Sequence, residues 1–410
     1  MVNCSVRFWP ILKKNIVRNT SQKCFYWTRR LAGLACGSSY MATNYCPNFD
    51  EASYHRSCRE EIINPIHGKV SGTIPKWLNG TLIRNGPGLF EINKSTVSHW
   101  FDGMALLHRF EINDGVVTYQ CRFIQSDVYK KNTSANRIVV TDFGTVAVPD
   151  PCGTIFHRIS SKFSFKREVN DNTVITVYPF GDEIYTITET GVMYKVGKKN
   201  METKTKVDFT KSLGIVTHSA HPHITEDGSM FDKACIVANI PARWTLYPSY
   251  MHSFGNYQSL CRFIVINRKT GRPVDEFYSR GFCYFHIINQ YEDSNRVVID
   301  ICTFKDASII KSFYLDAMKL IKVDVKNKTS KSWYEEGVYP SEPIFVPSPD
   351  AQDEDHGVIL SSLIYGKNEN CVSLLVLDAK SFEEIGRVKF ETSSPVPRST
   401  HGWYFPSCSP

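Results

Sequence analysis

One unit recurs along this chain: an apolar strand, a polar turn carrying lysine, and a second strand. It reads VMYKVGKKNMETKTKVDF at Val192–Phe209 and FIVINRKTGRPVDEF at Phe263–Phe277. It returns as LIKVDVKNKTSKSW at Leu320–Trp333 and LLVLDAKSFEEIGRVKF at Leu374–Phe390. The apolar runs are short and rich in β-branched residues, and the breaks between them hold Gly, Asn, Lys and Thr, which favours hairpins over helices. A lone hairpin cannot bury its apolar face, so a series of them must stack. A sandwich and a propeller both do this. The recurrence across so long a chain favours a propeller. Further strands are predicted at Ile138–Val148, Thr173–Tyr178, Glu183–Thr188, Val297–Phe304 and Val358–Tyr365, and long helix-period stretches are scarce.

The chain is 410 residues long, 42% hydrophobic and 13% aromatic, which suits a large all-β core and excludes a disordered chain. Its net charge of +7 is concentrated at one end. Residues 1–49 hold seven basic side chains (Arg7, Lys13, Lys14, Arg18, Lys23, Arg29, Arg30) and no acid, and the remainder balances at 41 basic against 41 acidic. A neutral body argues against a nucleic-acid face. The acid-free basic leader has the composition of a mitochondrial transit peptide, so residues 1–49 are expected to stand apart from a single domain over 50–410. The alternative is a cytoplasmic protein with peripheral membrane contact. Thirteen cysteines without a C-x-x-C pair suggest reduced thiols in an intracellular setting.

Four histidines sit in short aromatic or turn-rich contexts: His221 in AHPH, His252 in YMHSFG, His286 in FHIIN and His401 in THGW. Their separations of 31, 34 and 115 residues exclude the helical H-E-x-x-H zinc pattern. Taken singly, each reads as a structural or surface residue. A propeller changes that reading, because the inner strands of successive blades converge on one axis and can bring one imidazole apiece to a shared point. Imidazole suits iron, zinc and copper.

The blocks NGTLIRNGPG (Asn79–Gly88), HWFDGMALLHRF (His99–Phe110), FGTVAVPDPC (Phe143–Cys152), AHPH (Ala220–His223), YMHSFG (Tyr250–Gly255), FHIINQYED (Phe285–Asp293), YPSEPIFV (Tyr339–Val346) and His401-Gly402 together resemble the carotenoid cleavage oxygenases. They lie in that family's order over nearly everything after residue 60, and are most similar to the animal, mitochondrial, eccentrically cleaving β-carotene oxygenases. The resemblance implies a seven-bladed β-propeller capped by a dome of loops and short helices over an axial metal. It implies Fe(2+) held by His221, His252, His286 and His401. It further implies that Glu189 and Glu342 accept the outer N–H groups of iron-bound imidazoles, and that Phe143, Thr188 and Tyr250 line the substrate cavity. His99, His108, His218 and His223 are expected to serve the fold. The segment Pro149–Cys152 with Ile155–Phe165 matches the part by which family members dock on membranes, and it mixes Phe and Ile with Arg and Lys as an interfacial segment would.

The implied reaction is cleavage of a carotenoid or apocarotenoid double bond by O2 to two carbonyl products. The rival readings are a retinoid isomerohydrolase reaction in the same fold and a carotenoid-binding chain without turnover. The chain also departs from the family. Sequence is shortened between Met230 and Pro248, after Gly255, and most of all between Leu320 and Ile321. The last gap removes the third imidazole-orienting glutamate and opens the prospect of an incomplete propeller.

Overall fold

The computed structural model describes residues 3–10, 53, 55–145, 147, 170–210, 220, 223–224, 230–231, 235–238, 260–266, 273–280, 283–293, 296–304, 320–324 and 329–407. Side chains are described within 53–147, 170–210 and 329–407, and at Ala220, Phe277, Leu320 and Lys322. The architecture is all-β, and its largest sheets interlock the two ends of the domain. In the five-stranded sheet the order is Ile62–His67, Val116–Phe123, Met104–Asn113, Gly80–Leu89, Gly402–Pro406. In the six-stranded sheet, Val338–Pro340, Gly357–Tyr365, Cys371–Asp378, Glu384–Glu391 and Lys69–Gly72 run side by side, and Ile344–Pro347 pairs with Gly357–Tyr365. A four-stranded sheet runs Thr203–Asp208, Val192–Val196, Glu183–Ile187, Thr176–Phe180. The five- and six-stranded sheets thus each borrow a strand from the far end of the sequence, whereas the four-stranded sheet is built from consecutive strands.

All four recurrent units are antiparallel hairpins, paired through Val192↔Asp208, Phe263↔Phe277, Leu320↔Trp333 and Leu374↔Val388. The strand carrying His286, Cys283–Asp293, pairs antiparallel with Arg296–Phe304. The other edge of Arg296–Phe304 takes Asn3–Pro10 of the leader in parallel.

The five-stranded sheet is buried on both faces. Successive side chains of a strand point to opposite faces, and the alternation sorts them between two cores. Leu82, Leu106 and Phe110 face the six-stranded sheet, where the Phe110, Tyr119 and Phe390 rings meet at 5.1, 5.5 and 5.9 Å. Ile83, Ala105 and Leu107 face the four-stranded sheet, against Val177, Ile184 and Tyr194. This double burial is why Gly80–Leu89 and Met104–Asn113 lack the polar–apolar alternation of a surface strand.

The predicted strand at Ile138–Val148 is a loop through its described residues. Side chains take the backbone donors that a ladder would need. Asn132 Oδ1 accepts from Val139 and Val140, Asp142 Oδ1 from Phe143, and Asp102 Oδ2 from Gly144. A helix at Asp127–Ser134, not predicted from the sequence, precedes the loop. Ser126 caps it by accepting from Tyr129 N–H. Buried Asp171 accepts from the Asp127 and Val128 N–H groups and from Tyr194 Oη and Lys206 Nζ, at 2.7–3.1 Å. Burial pushes the Asp171 carboxyl up, but the bonds from Lys206, Tyr194 and the two amides outweigh it and hold it below its ordinary value. A carboxyl with a depressed folded pKa contributes stability that is present above its unfolded pKa and lost as pH falls through its folded one. Asp171→Asn should therefore cost about 1.5–3 kcal/mol at neutral pH and less at pH below that window. Urea unfolding at neutral and at acid pH measures both.

Candidate functional site

The C-terminal strand Gly402–Pro406 pairs antiparallel with Gly80–Leu89, placing Gly402 opposite Arg84. This pairing carries His401 to the edge of the doubly buried sheet. Asn85 N–H donates to His401 O (2.8 Å) and Thr400 N–H donates to Asn85 O (2.7 Å). The Asn85 side chain turns the other way and donates to Thr173 O and Thr176 O, joining the four-stranded sheet to the same point. Thr400 Oγ1 donates to Ile175 O at 2.6 Å. Gly86 lets the backbones approach this closely, since a Cβ there would lie 2.7 Å from Ser399 Cα.

His401 Nδ1 lies 2.9 Å from Glu342 Oε1. Burial pushes the Glu342 carboxyl up. Its hydrogen bond with His401, the charges of His401 and Arg84 and the Gly402 N–H together pull it below the ordinary carboxylate range. An ionised Glu342 accepts only, so Nδ1 carries the imidazole proton and Nε2 of the neutral ring carries the lone pair a cation needs. Glu342 is held in turn by Arg84, which is fully buried. The guanidinium donates Nη1 to Glu342 O (2.9 Å), Nη2 to Thr400 O (2.7 Å) and Nε to Ser399 Oγ (2.8 Å), and Nη2 stands 4.0 Å from Glu342 Oε2. Burial brings Arg84 down to about 10, leaving it charged at neutral pH. Ser341 and Ser362 hydroxyls extend the network to Ser399.

Glu189 also senses His401. Glu189 keeps an exposed surface, yet the protein crowded around its carboxyl raises it by desolvation, a shift that the Thr188 hydroxyl bond (3.1 Å to Oε2) and the His401 charge only partly offset. Thr188 is buried beside it. Phe143 packs its ring 4.9 Å from His99 and 6.2 Å from Phe101. His99 accepts from Phe101 N–H at the start of a short 3-10 turn, and buried His108 bonds Tyr119 Oη at 2.8 Å, so both serve the fold as expected.

His286 lies on the Cys283–Asp293 strand, where only the backbone is described. His221, His252 and Tyr250 lie outside the described residues, as do Pro149–Cys152, Ile155–Phe165 and His218; His223 is described in backbone alone. Among the described residues no three His, Cys, Asp or Glu side chains converge on a point. What these residues contribute is one imidazole with its tautomer set by an anchored carboxylate and a second carboxylate nearby. That arrangement fits an imidazole-bound metal. The sequence reading missed Arg84 and Asn85 as site residues, though an arginine inside the apolar run TLIRNG was a signal that a buried anion awaits it.

The chain matches the retinal pigment epithelial membrane protein family over residues 55–256, 232–320 and 317–406. It is 35% identical to the carotenoid isomerooxygenase of Galleria mellonella, over 88% of this chain and 97% of that one. It is 30% identical to the mitochondrial carotenoid-cleaving dioxygenase of Homo sapiens, over 85% of this chain and 89% of the relative. Two Synechocystis apocarotenoid oxygenase structures share its fold. One is a mutant, with a TM-score of 0.65 at 16% identity, covering 88% of this chain and all of that one. The other is cobalt-substituted, with a TM-score of 0.63 at 18% identity, covering 88% and 99%. The protein belongs to this family of carotenoid oxygenases, and its fold is their propeller. The alignment with the Galleria protein runs to 499 positions, more than this chain's 410 residues, so that relative carries segments with no counterpart here.

Removing the guanidinium would leave the Glu342 and Thr400 carbonyls and the Ser399 hydroxyl without their donor. Arg84→Met should cost about 1–3 kcal/mol of stability, read from denaturant midpoints. Gly86→Ala should destabilise by displacing the Arg398–Thr400 backbone, with hydrogen-exchange protection lost at Asn85 and Thr400 before it is lost in the Phe110–Phe390 core.

Proposed function

We propose that the chain cleaves a double bond of a carotenoid or apocarotenoid with O2, using Fe(2+) held by His221, His252, His286 and His401. The observation that carries this reading is the Glu342–His401 pair in a member of the carotenoid oxygenase family. A bound ferrous ion would supply the site where O2 is activated, and the cleaved double bond would supply the electrons that reduce it as one oxygen atom enters each carbonyl product. Glu342 keeps the proton on His401 Nδ1, so that His401 meets the metal in one tautomer and one orientation. The charge of Arg84 adds to the pull of His401 that lowers the Glu342 carboxyl, and its Nη1 holds the Glu342 backbone carbonyl. Glu189 takes the corresponding part toward a second imidazole. Phe143, Thr188 and Tyr250 line the path of the polyene, where aromatic and small polar surface accepts a long apolar ligand. The leader directs the protein to mitochondria, in keeping with the name of its human relative. The family match is split into segments that overlap at 232–256 and 317–320, beside the three places where the sequence is shorter than expected, which supports a propeller with internal deletions in its 50–410 domain.

The name of the Galleria relative favours a second reading in which isomerisation accompanies cleavage. The geometry of the polyene products separates the two.

The test is iron per chain on the full-length protein, followed by anaerobic β-carotene and then O2. One iron per chain with O2-dependent bleaching and carbonyl products is the expected result. His286→Ala and His401→Ala should each lose iron and turnover together, and turnover that survives loss of iron would overturn the reading. Glu342→Gln should weaken iron binding by roughly 10–100-fold, measured by competition with a chelator.

A further inference from the structure

We propose that Asp102 is a positioning residue: through Gly144 and Thr145 it sets where the Phe143 ring stands along the polyene, and so which double bond is presented for cleavage. The inference rests on the reading of Phe143 as part of the polyene path. Phe143 stands on the loop found in place of the predicted strand, so no sheet ladder holds it. Two buried carboxyls hold it instead. Asp102 Oδ2 accepts from Gly144 N–H (3.0 Å) and from Thr145 Oγ1 (2.6 Å). Asp142 Oδ1 accepts from Phe143 N–H (2.8 Å) and from Asn170 Nδ2. Asp142 N–H donates to Thr145 O (2.9 Å), which closes the turn around Phe143, and Thr145 Oγ1 accepts from Ser98 N–H (2.7 Å).

This clamp is anchored in the doubly buried sheet. Asp102 ends the 3-10 turn Trp100–Asp102, which runs directly into the Met104–Asn113 strand. Asn170 Oδ1 accepts from Asn172 N–H, and the Asn172 side chain donates to Gly103 O and accepts from Ala105 N–H, all at 2.8–2.9 Å. Gly144 passes so close to the turn that a Cβ there would lie 2.5 Å from His99 Cβ. The same turn supplies the neighbours of the Phe143 ring, His99 at 4.9 Å and Phe101 at 6.2 Å. Phe101 packs on the core that faces the four-stranded sheet. That core also holds Ala220, which precedes His221, and takes Trp403, two residues beyond His401. The half-buried Phe143 ring is therefore tied to the core that two of the histidine-bearing segments share.

Two adjacent buried carboxyls are a costly way to fix a loop. One oxygen of each, Asp102 Oδ1 and Asp142 Oδ2, is buried without a donor among the described residues. Costs of this kind are kept where placement matters for function. Here the residue placed is a half-buried phenylalanine, which the fold itself does not need to hold so closely.

The experiment uses the full chain loaded with Fe(2+) and compares wild type with Asp102→Ala, Thr145→Val and Asp102→Asn. The alanine removes both acceptor bonds, and the valine removes the hydroxyl at nearly constant size. The asparagine keeps an oxygen for Gly144 and Thr145, and its amide offers Asp142 a donor. β-Carotene binding is read without O2 from quenching of tryptophan fluorescence, and product chain lengths are read after O2 is admitted. Iron per chain should be the same in all four proteins. Asp102→Ala and Thr145→Val should bind β-carotene roughly tenfold more weakly and give a changed ratio of product lengths, while Asp102→Asn restores both. Thr145→Val carries the test if Asp102→Ala does not fold. The inference alone is overturned if wild type binds and cleaves and the two disrupting variants match it, or if Asp102→Asn behaves as Asp102→Ala does. A wild type that holds iron yet neither binds nor cleaves β-carotene overturns the polyene reading and this inference together.

Discussion

The pairing of Gly402–Pro406 with Gly80–Leu89 organises everything around it. It joins the end of the described chain to a strand near its start, closing a sheet that is buried on both faces. A strand in that position exposes no edge to water, so each of its polar groups must find a partner inside. Asn85 and Arg84 are the solution. Asn85 spends its backbone on Thr400 and His401 and its side chain on Thr173 and Thr176, so one residue ties three segments together. Arg84 spends its guanidinium on Ser399, Glu342 and Thr400. The hydrogen bonds that close the sheet are therefore the ones that place His401.

This economy explains why stability and the candidate site cannot be separated here. A buried guanidinium is costly to desolvate and is retained where its donors and its charge are all used. Arg84 meets that condition only because three acceptors and the Glu342 carboxylate converge on it. The apolar cores on the two faces, centred on Phe110–Phe390 and on Leu107–Val177, supply the burial that makes such a cluster affordable.

Much of this was legible in the sequence where local pattern and tertiary role agree. The four hairpin units announce themselves because strand, turn and strand are each favoured locally and the fold needs the same thing. Ile138–Val148 misled because β-branched residues signal burial as well as strand, and here Asn132, Asp102 and Asp142 satisfy the backbone in place of a neighbouring strand. The short helix at Asp127–Ser134 was invisible because Asp171, 37 residues beyond its last residue, supplies part of its cap. Glu342 and His401 were named only through the family resemblance. A spacing of 59 residues carries no geometric information until the strands between them are in register.

The carboxyls of the two glutamates near His401 are shifted in opposite directions. Burial raises both. Glu342 receives a hydrogen bond from His401 and the field of Arg84, and it ends below its ordinary value. Glu189 has the Thr188 hydroxyl and the distant influence of His401, and it ends above. A charged carboxylate is the stronger acceptor for an imidazole N–H, and Glu342, lowered first by its bond with His401 and then by the charges of His401 and Arg84, is the carboxylate paired with His401. The arginine inside the apolar NGTLIRNGPG run adds to that pull and holds the Glu342 and Thr400 carbonyls, and in none of these contacts does it touch the ring itself.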